Sequence, residues 1–438
     1  MDYVPIRDIL DGRFENKRVA IRGWIYRKRE GKQTIFLVIR DATGVIQCPV
    51  KKESQVWSEA EKLTIESSLT LEGKVKKDTR APGGYELSVE DLSIVGLAES
   101  PFPITKGRAK ERQGAEADSE DFLRNIRHLW LRSRDMNLVM KVRGEVLKFT
   151  REFFSKGDFT EVSPPMFVTS AVEGGSTLFG LKYFDQNMYL TQSSQLYLEI
   201  LIYSLEKVYC IAPSFRAEKS RTIRHLTEYW HIEAEQAFAD MNDLTRLEEE
   251  LLAYICRRTV ETCKSEFEEL GADLSKLASV KTPFPKITYK KAIENLNTKD
   301  FKTKWGDDLG YEEEKALADD FGKPFFIYDY PKEIKAFYCK THRDKAELAM
   351  STDMLVPRIG EISTGGARED DKEILVARLK ELGLKEEDYD WYIDLRRFGT
   401  VPHVGFGMGL ERLLTWMLDL ENIIDSIPFP RTIRRFYP

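Results

Sequence analysis

The sequence lacks the residue clusters that mark a zinc site, a disulfide framework or a membrane span. Its 438 residues include five cysteines and five histidines, and no two cysteines have the Cys-x-x-Cys spacing of a metal knuckle. No apolar run approaches the ~20 residues that cross a bilayer, and residues 1–11 carry acids rather than the basic leader of a secreted protein. These absences predict free thiols, no structural zinc, no association with a membrane and a cytoplasmic location.

An excess of basic residues is also lacking. The chain has 73 Asp and Glu against 67 Lys and Arg, a net charge of −6, which argues against a protein that binds nucleic acid by bulk attraction. Residues 1–50 differ, since ten Lys or Arg against six Asp or Glu give this segment a charge of +4. A basic segment on an acidic chain permits one docked RNA without indiscriminate binding.

Short strands separated by turn signals are expected over residues 17–97. The second β-type run folds back at Asp41-Ala-Thr-Gly44, so that five strands and one helix, Ser54–Leu63, are expected. This pattern predicts a small β-barrel of the oligonucleotide-binding (OB) kind. On that barrel an exposed Phe36 could stack on an unpaired base, although in an arbitrary barrel it would be a core residue.

A stretch rich in proline, glycine and charge follows the barrel and predicts a linker or hinge. Beyond it, strand patterns give way to amphipathic helices such as Asn137–Lys156. The predicted domains are therefore the barrel (1–100), the linker (101–125) and a larger domain (126–438) with a small insertion around 270–350.

The segment Phe215–Glu235, FRAEKSRTIRHLTEYWHIEAE, joins an arginine-rich half to an acidic half. Polar residues surround Arg216, Arg221 and Arg224, and alternation with period two begins at Glu228, which predicts strand, polar loop, strand. A charged hairpin is most often simply solvated. Guanidinium groups, however, also suit bidentate binding of phosphate or carboxylate.

This segment resembles motif 2 of the class II aminoacyl-tRNA synthetases, in which a Phe-Arg-x-Glu strand and the following loop bind ATP. GFGMGLER at Gly405–Arg412 resembles motif 3, and the helix before FTEVSPPMF resembles motif 1, whose Pro164 or Pro165 lies at the dimer interface. RHLWLRS, SSQLYLE and HLTEYWHIEAE are similar to the asparaginyl branch, as is KAFY, which is expected to form a strand at Lys335–Tyr338. The resemblance covers nearly the whole chain.

The resemblance implies an α+β fold. An N-terminal five-stranded OB-type β-barrel, the anticodon-binding domain, would be joined to a class II catalytic domain built on an antiparallel sheet flanked by helices. The implied reaction is ATP-dependent ligation of L-asparagine to its tRNA through an asparaginyl-adenylate, with release of AMP and pyrophosphate, by a homodimer. A substrate carboxylate is already ionised, so the site needs positioning and relief of phosphoryl charge rather than a base or a nucleophile.

The resemblance also assigns site residues. The implied catalytic residues are Arg216, Glu361 and Arg412. The implied ATP-binding residues are Arg216, Glu218, Arg224, His225, Leu226, Glu361, Gly409, Leu410, Glu411 and Arg412. The implied amino-acid-binding residues are Glu173, Gln195, Leu198, Arg216, Glu233, Thr364 and Arg368. The implied anticodon contacts are Arg27, Arg29, Phe36, Gln47 and Glu86. Magnesium would be held by Glu361 and Thr364, since hard oxygen donors suit it.

Glu233 is expected to decide between asparagine and aspartate. Aspartyl relatives carry a lysine where this chain has Leu198, which on its own could equally be a packing residue. Without that lysine, Glu233 would repel a β-carboxylate, whereas it can accept a hydrogen bond from the asparagine amide. Arg368 can donate to a side-chain oxygen of either amino acid.

Three alternatives remain at this point. The first is an aspartyl-tRNA synthetase, including one that charges both tRNAs, because EISTGGARED is closer to the aspartyl pattern. The second is an ammonia-dependent asparagine synthetase, against which a barrel with Phe36 and Gln47 argues. The third is a non-catalytic RNA-binding paralogue, against which the retained Arg216, Arg368 and Arg412 argue.

Overall fold

A computed structural model of the chain describes residues 2–104, 120–172, 177–219 and 224–438. The chain divides into two compact units, Met1–Arg124 and Asn125–Pro438. The helices of the described residues are α1 (Ile6–Leu10), α2 (Trp57–Lys62), α3 (Glu120–Asn125), α4 (Arg127–Trp130), α5 (Arg134–Lys156), α6 (Gln195–Leu205), α7 (Met241–Thr262), α8 (Lys264–Leu270), α9 (Leu274–Ala278), α10 (Tyr289–Asn297), α11 (Tyr311–Phe321), α12 (Lys372–Glu381), α13 (Asp390–Arg397) and α14 (Leu410–Met417). The strands are β1 (Arg18–Glu30), β2 (Thr34–Arg40), β3 (Val45–Lys51), β4 (Ser68–Lys77), β5 (Tyr85–Gly96), β6 (Thr160–Glu161), β7 (Phe167–Val168), β8 (Gly180–Tyr183), β9 (Gln186–Leu190), β10 (Lys207–Phe215), β11 (Glu228–Ala237), β12 (Lys286–Thr288), β13 (Phe325–Pro331), β14 (Leu348–Val356), β15 (Gly360–Ala367) and β16 (His403–Gly409).

The first unit is a closed five-stranded barrel with strand order β1-β2-β3-β5-β4. Alternation along β2 and β3 turns Ile35 and Leu37 into the core and leaves their neighbours on the outer face. Gly23 is needed where β1 crosses β2, because a Cβ there would lie 2.3 Å from the Arg40 carbonyl oxygen. The barrel expected from the turn signals is therefore present, with a helix slightly shorter than expected.

The second unit is built on an eight-stranded sheet with order β12-β13-β14-β15-β16-β11-β10-β6. Its neighbouring strands are antiparallel except for the β12–β13 and β10–β6 pairs. Helices α5 and α7 bury apolar side chains such as Phe149 and Ile255 in one cluster with Ile232, Phe406 and Met408 of the sheet. Because side chains alternate along a strand, the intervening residues of β11 and β16 face the other side.

One edge of the central sheet is formed by β12 and β13, which belong to the region around 270–350 that is expected as a small insertion. Lys335–Tyr338, expected as a strand, instead lies in turns after a 3₁₀ turn at Lys332–Ile334. The strand before it ends at Pro331, which has no backbone N–H to continue a ladder. In the described part of the chain, no helix combines the length and apolar composition needed to cross a membrane.

Candidate active site

The polar face of the central sheet carries a cavity of about 570 Å³ that continues into a narrower cleft. Four residues, Arg216, His231, Glu361 and Gly407, line both. We call the cleft the nucleotide end and the larger cavity the amino-acid end. The cleft is also lined by Glu218, Arg224, His225, Leu226, Tyr229, Gly409, Glu411 and Arg412. The larger cavity is also lined by Ser193, Gln195, Glu233, Lys335, Tyr338, Thr364 and Arg368.

Arg412 and Glu361 face each other at the nucleotide end. Arg412 Nη1 lies 3.1 Å from Glu361 Oε1 and donates to the Glu361 carbonyl oxygen at 3.1 Å. Burial would raise the pKa of Glu361, but the charges of Arg412, Arg224, Lys335 and Arg216 outweigh it and lower the pKa to about 2. Glu361 is therefore an ionised carboxylate at neutral pH.

The end of the motif 2 loop, from Arg224 onward, also faces this cleft. His225 Nε2 lies 3.7 Å from Glu218 Oε2. Burial, together with the charges of Arg412 and Arg224, lowers the pKa of His225 to about 4, so the ring is neutral at pH 7. The Arg216 guanidinium lies 5.7 Å from the centre of the Tyr229 ring. The cleft thus offers guanidinium charge beside neutral rings, which suits a polyanion that carries an aromatic base.

A β-bulge brings Glu361 and Thr364 to the same face of β15. Residues three apart on a regular strand point to opposite faces. Here Glu361 pairs with Leu355 and Ser363 with Met354, so Ile362 is the extra residue. The bulge restores the alignment, and both side chains line the larger cavity.

Glu361 and Thr364 offer one carboxylate and one hydroxyl to a magnesium ion. The described residues contain no group of three or more His, Cys, Asp or Glu able to hold a metal ion. Mg²⁺ is commonly bound by one or two carboxylates completed by substrate phosphates and water. One ionised carboxylate with one hydroxyl is consistent with that kind of site.

Glu235 and Arg368 form a buried ion pair at the amino-acid end. Arg368 Nε lies 3.1 Å and Nη2 2.5 Å from Glu235 Oε1, and their side chains are 5% and 1% exposed. Burial raises the pKa of Glu235, and the Arg368 charge opposes that rise. Gly405 opposite Glu235 makes the pair possible, because a Cβ there would lie 2.0 Å from the Glu235 carboxyl carbon. The alternating glycines of GFGMG thus make room for a carboxylate.

Glu233 is anchored by the turn before α6. The Ser194 backbone N–H donates to Glu233 Oε2 at 2.9 Å, and the Ser193 hydroxyl donates to Oε1. Glu233 is 3% exposed and lines the larger cavity. A carboxylate can only accept hydrogen bonds, so an additional partner at this site must be a donor.

Gln195 is oriented by a fully buried network. Its Nε2 donates to Glu199 Oε1 at 3.0 Å, and Glu199 Oε2 accepts from Tyr392 at 2.6 Å and from Arg396 at 2.9 Å. His403 Nε2 lies 2.9 Å from the same oxygen. Because the amide nitrogen of Gln195 is used by Glu199, its carbonyl oxygen remains an acceptor for a cation in the cavity.

The outer face of the barrel groups the residues expected to contact an anticodon. Arg29 pairs with Phe36, and Gln47 pairs with Glu86 on the neighbouring strand. The Arg29 guanidinium lies 4.8 Å from the Phe36 ring centre, and Gln47 Nε2 lies 3.4 Å from Glu86 Oε2. Arg27 is exposed in the same row of cross-strand partners. Phe36 is half-buried on this face and does not fill the core.

Comparison with known proteins identifies the family. The family described as "tRNA synthetases class II (D, K and N)" matches residues 119–433, and "OB-fold nucleic acid binding domain" matches residues 19–95. The asparagine–tRNA ligase of Thermococcus gammatolerans is 47% identical over 427 residues, 97% of each chain. The chain belongs to the asparagine–tRNA ligase family. Its predicted family, fold class and aminoacyl-tRNA ligase activity are thereby confirmed.

Solved structures of asparaginyl-tRNA synthetases have the same fold as this chain. The asparaginyl-tRNA synthetase of Pyrococcus horikoshii, complexed with asparaginyl-adenylate, has a TM-score of 0.95 and 45% identity over 100% of both chains. The Entamoeba histolytica asparaginyl-tRNA synthetase, also with asparaginyl-adenylate, has a TM-score of 0.86 and 32% identity over 97% of both chains.

Most residues that the asparagine–tRNA ligase resemblance assigned to the site line the cavity or the cleft, but the side chains of three assigned residues pack or pair within the protein. Leu198 is fully buried in an apolar cluster with Ile202, Val208 and Cys210, so in this structure it is a packing residue. Leu410 is fully buried in the core. Glu411 lines the cleft, but its carboxylate accepts from the Trp230 N–H and pairs with Arg143. Glu173 lies outside the described residues.

Several residues of this asparagine–tRNA ligase site were not singled out by the sequence. Glu235 could have been found, since alternation places it on the same face as Glu233. Lys335 lines the amino-acid end, where its Nζ lies 3.1 Å from Asp353 Oδ2. Glu199 could also have been found, since it lies one helical turn after Gln195 on α6 and accepts from its amide. Glu314, in contrast, reaches the site only through tertiary contacts, which no local pattern signals.

Proposed function

We propose that the chain activates L-asparagine with ATP to asparaginyl-adenylate and transfers the asparaginyl group to tRNA. One observation carries the choice of amino acid: Glu233 and Arg368 line the same cavity. A side-chain amide can accept from the guanidinium and donate to the carboxylate at once. A β-carboxylate has no donor for Glu233, and leaving that buried acceptor beside a like charge costs affinity.

The nucleotide end supports binding of ATP by the residues of motifs 2 and 3. Arg216 lines both the cleft and the cavity, as a residue that holds both the substrate carboxylate and the α-phosphate must. Arg412 and Arg224 would neutralise the remaining phosphate charge and orient the nucleotide. Glu361 and Thr364 would hold Mg²⁺, which supplies further charge neutralisation when it is bound.

The barrel supports binding of the tRNA anticodon. Phe36 would stack on an unpaired base, Gln47 and Glu86 would contact base edges, and Arg27 and Arg29 would contact phosphates. We also propose a homodimer formed through motif 1 near Pro164 and Pro165, for which sedimentation at twice the chain mass of 50.8 kDa is the measurement. A cytoplasmic location is proposed as well, where ATP, tRNA and the ribosome meet.

Amino-acid-dependent exchange between ATP and labelled pyrophosphate tests this function without tRNA. We expect strong exchange with L-asparagine and at least about a hundredfold lower kcat/KM with L-aspartate, since loss of a matched polar contact is worth several kcal/mol. Exchange with aspartate alone would contradict the proposal. Charging of tRNA is then measured with Phe36→Ala, which should raise the KM for tRNA while exchange is unchanged.

A further inference from the structure

Helix α11 lies against the nucleotide end, although no motif of the sequence assigns it a role. The helix spans Tyr311–Phe321, and its first turn carries Glu312, Glu313 and Glu314. Glu312 is exposed, whereas Glu314 is buried and 6% accessible. A buried carboxylate is costly unless it is paired, so its partners indicate what it does.

Glu314 contacts Arg224 of motif 2 and Glu361 of β15, both of which line the nucleotide end. Its Oε2 accepts from Arg224 Nη1 and from the Glu361 backbone N–H at 2.9 Å. The Glu314 and Arg224 side chains are each 8% exposed. Tyr311, one turn earlier, places its ring 5.1 Å from the Arg224 guanidinium carbon. One helix turn therefore holds an arginine of motif 2 and the first residues of β15 together.

The backbone of β15 is shaped to receive this carboxylate. Gly360 has φ +80, and a Cβ at this position would lie 2.5 Å from Glu314 Oε2 and 3.1 Å from Arg224 Nη1. A side chain larger than hydrogen would therefore displace the contact. The next residue is Glu361, whose carboxylate meets Arg412. Glu314 thus contacts two residues that line the cleft, Arg224 through its guanidinium and Glu361 through its backbone N–H.

We infer that Glu314 is a positioning residue for ATP, holding Arg224 and the Glu361 end of β15 in the geometry that the nucleotide requires. The inference rests on the proposed function. A guanidinium held in place before binding loses less side-chain entropy when ATP arrives. The negative charge of the carboxylate strengthens its hydrogen bond from the Arg224 guanidinium.

Glu314→Gln tests the inference in the pyrophosphate-exchange assay with L-asparagine. The amide keeps the side-chain shape and one acceptor but removes the charge. We expect the KM for ATP to rise about tenfold, as for a lost hydrogen bond to a charged group, and the KM for asparagine to change less than about twofold. Glu312→Gln, on the exposed face of the same turn, is the matched control and should leave both KM values unchanged.

A double-mutant cycle separates positioning from a general effect on folding. If Glu314 acts through Arg224, Glu314→Gln should have little further effect on the KM for ATP in an Arg224→Gln background. Fully additive effects, equal rises in both KM values, or an unchanged KM for ATP would each overturn the inference. If Glu314→Gln fails to fold, Glu314→Asp replaces it, with a severalfold rise expected and no rise overturning the inference. The proposed function fails separately, if the wild type shows no asparagine-dependent exchange.

Discussion

At the nucleotide end, the side chains of Arg216 and Arg412 are 28% and 19% exposed, and their carboxylate partners Glu218 and Glu361 are 34% and 29% exposed. At the amino-acid end, Arg368 and Glu235 are 5% and 1% exposed. Behind them, the Arg396 and Glu199 side chains have no exposed surface. Both ends therefore contain arginines, but only the nucleotide end leaves two of them, Arg216 and Arg412, partly accessible, while its third, Arg224, is buried against Glu314.

The charge of each substrate explains this difference. ATP carries several negative charges, so the cations at the nucleotide end can remain partly hydrated in the free protein. They exchange that water for phosphate when ATP binds. The asparagine side chain is neutral and can compensate no buried charge, so the charges near it must be paired within the protein beforehand. We expect substitutions at the nucleotide end to act on the reaction and those at the amino-acid end to act on selectivity and stability.

Removal of Arg412 is expected to give the largest effect on the reaction. Arg412→Ala should lower kcat for pyrophosphate exchange by about 10²–10³, the usual cost of losing one group that stabilises developing charge. The unfolding midpoint should change little, because the side chain is partly exposed. Arg257→Ala, in an exposed ion pair with Glu261 on α7, is the control and should change neither kcat nor the unfolding midpoint. A large loss of stability with normal kcat would contradict the contrast between the two ends.

A conservative change at Arg368 should separate the ends by substrate. Arg368→Lys keeps the charge but loses the planar fork that meets Glu235 through two nitrogens. We expect the KM for asparagine to rise about tenfold to a hundredfold, with the KM for ATP unchanged. Arg397→Lys, in an exposed pair with Asp394, is the matched control. Equal rises in both KM values would show that the two ends are not independent.

Local patterns in the sequence predict the strands of this site better than its buried network. Period-two alternation predicts β11 and the shared face of Glu233 and Glu235. Alternation does not reveal that Gly405, on another strand, vacates the space that Glu235 occupies. Motif resemblance supplies the residues that line the cleft, because those residues lie on contiguous segments.

Helix α6 and helix α11 show where such prediction ends. The sequence QLYLEILIYSL is apolar around most of α6, so it does not tell which face packs and which meets the cavity. Leu198 lies in the core, while its neighbour Glu199 enters the buried network. The contact between Arg224 and Glu314 spans 90 residues, and tertiary packing alone creates it.

The junction of the two ends provides a pH test of this contrast. His231 lines both the cleft and the cavity, and burial, with the charges of Arg216 and Arg412, lowers its pKa to about 3. A histidine whose pKa is lower in the folded state contributes stability above its unfolded pKa of about 6.5, and that contribution is lost as the pH falls below it. Wild type should therefore lose about 1 kcal/mol of stability relative to His231→Asn between pH 7 and pH 5.5.

Urea unfolding followed by tryptophan fluorescence measures this difference. Groups elsewhere in the chain titrate in both proteins, so subtracting the two profiles leaves the contribution of His231. His128→Asn, at an exposed site, is the control. Parallel profiles for wild type and His231→Asn would mean that the ring is solvated or compensated in the folded protein. In that case the charges of Arg216 and Arg412 would not lower the pKa of His231. Solvent and salt would screen these partly exposed charges more fully than their positions indicate.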